Sequence, residues 1–61
     1  MPDREVLYQM QQIGQTIKVV AIDSLTGTEV TIQGPASAPK HVLQQNARKK
    51  LEFVLTRQKD R

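Results

Sequence analysis

Few residues in this 61-residue chain have side chains suited to chemistry: Ser24, Ser37, His41 and the carboxylates Asp23 and Glu29. A serine nucleophile needs a base within reach, and with His41 as the single histidine the only candidate pairs are Ser24 or Ser37 with His41. No motif joins them. Ser24 stands in the turn-rich run Asp23-Ser24-Leu25-Thr26-Gly27, Ser37 reads as the N-cap of a following helix, and His41 sits beside Lys40 in the first helical turn, where solvent surrounds it. Asp23 and Glu29 flank the turn and nearly face each other, an arrangement that raises one carboxyl pKa, yet a turn-initiating aspartate explains Asp23 without catalysis. The stretch GPASAPK, residues 34–40, precedes a helix N-terminus where free N–H groups favour anions. Phosphate loops need several glycines, however, and here Gly34 stands alone beside two prolines that remove donors. With no cysteine, cysteine-ligated zinc and disulfides are excluded, and one histidine excludes nitrogen-rich metal sites. No catalytic, cofactor-binding or metal-binding residue is assigned, no cofactor is implied, and the chain reads as a non-enzyme.

The elements around these residues are set by periodicity. Residues 17–33, IKVVAIDSLTGTEVTIQ, alternate apolar and polar on both sides of Thr26-Gly27 and predict a β-hairpin. A three-residue loop, Leu25-Thr26-Gly27, with glycine in the left-handed region sets Ile22 opposite Val30 and Val20 opposite Ile32, making Val20, Ile22, Val30 and Ile32 the expected core face. Ahead of the hairpin, Val6, Tyr8 and Met10 recur at period two over residues 5–13. Joining that strand through Gly14-Gln15 would set Leu7 and Gln9 beside Ile22 and Val20, whereas a three-residue loop, Gly14-Gln15-Thr16, sets Tyr8 and Met10 there and buries more apolar surface. The second register is preferred. The outer face then carries Leu7, Ile17, Val19 and Ala21.

Gly34 and Pro35 end the sheet, and Pro39 falls in the first turn of a helix over residues 38–58 whose Leu43, Ala47, Leu51 and Val54 share one face, flanked by Leu55. The expected fold is α+β: a three-stranded antiparallel meander over residues 5–13, 17–23 and 28–33, covered on one face by one C-terminal helix. Residues 1–61 form one domain, with 1–4 and 59–61 frayed.

Charge is uneven. From Lys40 onward seven Lys/Arg face Glu52 and Asp60, a net +5, while residues 1–39 carry −2. Lys40, Arg48, Lys49 and Arg57 are therefore candidate nucleic-acid contacts, although a solvated helix face explains the same charge. No run approaches the ~20 apolar residues of a membrane span, and charges at Asp3, Arg4 and Glu5 stand where an export signal needs apolar residues. The chain reads as soluble, cytoplasmic and not membrane-bound.

Two resemblances follow. The segment SAPKHVLQQNARKKLEFVL is similar to the C-terminal helix of double-stranded-RNA-binding domains, with an Asn-Ala, basic, Leu-Glu pattern after a three-stranded sheet. It departs from them in leaving no room for their N-terminal helix and in reducing their lysine cluster to Lys40 and His41. More of the chain, about residues 5–55, resembles a family of very short uncharacterised alphaproteobacterial proteins, through the run Ala21–Asp23, Thr26–Val30 and Gly34–Ala38. That resemblance implies the fold and a bacterial origin but no site.

A domain of about 60 residues buries only about 60% of the surface its unfolded chain exposes, so it gains from association. The expected partner is a second copy in a two-fold homodimer, through Leu7, Ile17, Val19 and Ala21 on the uncovered face and Val42 and Phe53 at the helix edge. Another protein is a further possible partner, and exchange of a strand or the helix between copies is one route to the dimer.

Overall fold

The structure, a computed structural model, describes residues 5–59. Three strands, β1 (Val6–Ile13), β2 (Thr16–Asp23) and β3 (Glu29–Pro35), form one antiparallel sheet in the order β1-β2-β3, followed by the helix α1 (Lys40–Lys59). This is the expected α+β meander with its central second strand. The helix extends through Lys59, one residue beyond its expected end, and the expected fraying of residues 1–4, 60 and 61 lies outside the described residues.

Both hairpin registers differ from expectation by one residue. The β1–β2 loop is the two-residue Gly14-Gln15, with Ile13 opposite Thr16. Gly14 has φ +62° and, among the described residues, no residue other than glycine takes a positive φ, so Gln15 does not, which is the pattern of a type II′ turn. Between β2 and β3 the loop holds four residues, Ser24 to Gly27, because Asp23 N donates to Thr28 O at 2.8 Å and Gly27 N donates to Asp23 O at 2.8 Å. Gly27, at φ +76°, takes the expected left-handed conformation.

A slip of one residue moves a strand's side chains to the opposite face. Tyr8 and Met10 of β1 now pair with Ala21 and Val19, and Val30 and Ile32 of β3 pair with the same two residues. The helix-facing residues of β2 are therefore Ile17, Val19, Ala21 and Asp23, all buried, and the expected inner residues Val20 and Ile22 lie on the other face, half-buried. This corrects the expected core.

The core is formed by Ile17, Val19, Ala21, Val30, Leu43, Ala47 and Leu51, ringed by half-buried groups that include Val6, Tyr8, Met10, Ile32 and Val54. The helical stripe stands as expected: Leu43, Ala47 and Leu51 are buried and Val54 and Leu55 are half-buried. Full burial of side chains such as Leu51 and Val19 contributes about 1.5–3 kcal/mol each. Small residues set the distance between layers. Ala21 and Ala47 are fully buried, and Gly34, opposite Ile17 in β3, leaves the space that Leu43 fills. The helix begins on Pro39, whose carbonyl accepts from Val42 N at 3.1 Å and Leu43 N at 3.3 Å, so Pro39 occupies the capping position expected for Ser37.

Candidate functional site

The chemically equipped residues do not converge. Asp23 is fully buried, and its Oδ2 accepts from Thr26 N at 3.1 Å and Thr26 Oγ1 at 2.7 Å. Thr26 Oγ1 in turn shares a hydrogen bond of 2.8 Å with Thr28 Oγ1 and accepts from Thr28 N at 3.2 Å. A carboxylate held this way closes the loop from three residues back, as an N-cap side chain does at the start of a helix. Glu29 pairs with Ile22, on the other face of the sheet from Asp23, so the two carboxylates expected to face each other do not form a pair. Ser24 is exposed at the Asp23 end of the sheet, its N–H donating to Glu5 O at 3.0 Å. Ser37 and His41, both exposed, lie beyond the opposite end of the sheet, after β3 has paired with Thr16. Among the described residues no group of three or more His, Cys, Asp or Glu could hold a metal ion.

The connection to α1 is built for packing. A Cβ at Gly34 would overlap Leu43 Cδ2, so this glycine serves the approach of the helix and not that of a phosphate. Two N–H groups of the first helical turn already bond to Pro39 O.

The basic residues are spread around the axis of α1 rather than forming one stripe. At about 100° per residue, Lys40, Arg48, Lys49 and Arg57 fall in successive directions about 80–100° apart. Several cations are engaged locally. Arg48 Nε meets Glu52 Oε2 at 3.2 Å, Lys50 Nζ donates to Thr31 O at 3.2 Å, and the Arg57 guanidinium lies 5.5 Å from the centre of the Phe53 ring. The Arg48–Glu52 pair is exposed and adds little to stability.

The remaining features are surfaces. Helix α1 packs across β2 and β3, on one face only. It reaches β1 through Gln44, whose amide donates to Met10 Sδ at 3.7 Å, and the helix-side residues Val6, Tyr8 and Met10 stay half-buried. On the opposite face, Leu7 pairs with Ile22 beside Val20, and a depression between β1 and β2 is lined by Gln9, Met10, Gln11, Lys18 and Val20. Of the residues expected to mediate self-association, Leu7, Val42 and Phe53 are exposed, at 49%, 36% and 61%. Ile17, Val19 and Ala21 are not available: they are core, because the register of β2 places them under α1. Val20 and Ile22 take their place on the uncovered face. Exposed Ile13 and Leu25, both at turns, were not singled out by periodicity because each stands at the end of its repeat.

A three-stranded meander with one covering helix and, among the described residues, no convergent polar site defines a small α+β fold. The chain belongs to a family described as a domain of unknown function (DUF6898), whose model matches residues 3–59. No match was found among curated proteins, and none among solved structures. Among the described residues no helix is long and apolar enough to cross a membrane.

Proposed function

We propose that the protein is a non-enzymatic association module of the bacterial cytoplasm, whose first partner is a second copy of itself. One observation carries this reading: among the described residues a single helix covers β2 and β3 on one face, leaving the other face bare and the helix-side residues of β1 half-buried. A chain this small buries a limited fraction of its surface alone, and association is the stabilising device its composition leaves open, since it has no cysteine. The buried Asp23 and the glycine at position 34 have structural work in the turn and the layer contact, which removes two features that sequence alone could assign to chemistry.

A screen of the intact chain against hydrolase and general metabolite substrates tests the non-enzymatic part. No turnover is expected, and turnover abolished by substitution at Ser24, Ser37 or His41 would overturn it. The competing reading, an RNA-binding module using Lys40, Arg48, Lys49 and Arg57, rests on the charge of the C-terminal third. Titration with duplex RNA at two salt concentrations distinguishes them, because phosphate contacts weaken steeply as salt rises. We expect no binding at low salt; salt-sensitive binding reduced by Lys49→Glu would favour RNA.

A further inference from the structure

We propose that the open edge of β1 is the dimer interface, pairing antiparallel with β1 of a second copy to make one six-stranded sheet. This deepens the association reading and rests on it. Edge strands ordinarily carry a charge, a proline or a bulge that blocks pairing with other chains. The other edge of this sheet has two of these, Glu29 and Pro35 in β3. In contrast, β1 is VLYQMQQI, eight residues with no charge, proline or glycine. Among the described residues no strand lies beyond it.

The hydrogen-bonding alternation shows which groups the edge offers. Ser24 N bonds to Glu5 O, and these two residues continue the β1–β2 register in which Val6 faces Asp23. In an antiparallel ladder alternate residues bond to the same neighbour, so Leu7, Gln9 and Gln11 bond toward β2. Val6, Tyr8 and Met10 turn their N–H and C=O groups outward. These same three carry the half-buried apolar side chains that α1 does not fully cover.

A two-fold axis perpendicular to the sheet at Tyr8 meets both needs together. It sets Tyr8 opposite Tyr8 of the second copy and Val6 opposite Met10, so every outward N–H and C=O of the three finds a partner and each apolar side chain faces another. Cross-strand aromatic and aliphatic pairs of this kind are the stabilising unit of a sheet. Shifting the axis by one residue, to Gln9, sets Val6 opposite Gln12 and loses one apolar pair. The occupant is a second copy because the edge is self-complementary about Tyr8 and no like charges meet across it. Both helices then lie on one side, and the bare faces join on the other, with Leu7 opposite Gln9 of the second copy.

Amide hydrogen exchange and molar mass of the intact chain test this together. In the dimer, the amides of Val6, Tyr8 and Met10 exchange slowly although they point away from β2, and the mass is that of two chains. Paired charges on the exposed outer positions discriminate the register without touching the core. Leu7→Lys with Gln9→Lys sets like charges opposite each other, and we expect one-chain mass and loss of protection at Tyr8. Leu7→Lys with Gln9→Glu sets opposite charges there, and the dimer and its protection persist. A one-chain mass for the unsubstituted protein overturns the proposal. A dimer in which the Val6, Tyr8 and Met10 amides exchange freely overturns the edge assignment alone and leaves self-association through another surface standing.

Discussion

Gly34 of β3 lies so close beneath Leu43 of α1 that a Cβ on the glycine would overlap Leu43 Cδ2. Its backbone is not in the left-handed region, so this glycine is required by contact and not by conformation. Leu43 Cδ2 is the end of a flexible side chain, but Leu43 is 4% exposed, so it can move aside only against its core neighbours. Gly34→Ala should therefore destabilise the fold by about 1–3 kcal/mol, the scale of overpacking. In a double-mutant cycle with Leu43→Ala the two effects should fall well short of additive, because removing the leucine opens the space. Additive effects in urea unfolding would contradict the contact.

The two faces of β2 give a sharper contrast. Val19 is fully buried and Val20, its neighbour, is half-buried on the uncovered face. Val19→Lys places an unpaired ammonium in the core and should abolish cooperative folding, whereas Val20→Lys should cost about 1 kcal/mol or less. Thermal melts of the two variants check this, and the reverse order would restore the alternative register.

That contrast also marks how far the sequence could be read. Element types and order were legible, since period two in β1 and β3 and the Leu43/Ala47/Leu51/Val54 spacing each allow one interpretation. The inner face of β2 was not, because Thr16–Asp23 is apolar on both faces and its pattern is satisfied either way up. Only turn geometry decides, and the turn is governed by the Asp23 side chain, whose bonds to Thr26 lengthen the loop to four residues. The candidate surfaces inherited that error at Ile17, Val19 and Ala21, while Leu7, Val42 and Phe53, outside β2, are exposed.

The turn carries its own prediction. Thr26→Val removes the hydroxyl that donates to Asp23 Oδ2 and accepts from Thr28 N, and should cost about 1–3 kcal/mol. Gly27→Val should cost at least about 1 kcal/mol from left-handed strain alone, since a Cβ at Gly27 would meet nothing within 4 Å. Gly27→Asn should be milder, because asparagine tolerates that conformation. Equal stability of Gly27→Val and the unsubstituted chain in urea would contradict the turn.

Self-association is tested most directly by the molar mass of the intact chain from light scattering across a micromolar dilution series. Association of two copies predicts a two-chain mass that falls toward one chain on dilution. A one-chain mass at every concentration would contradict it.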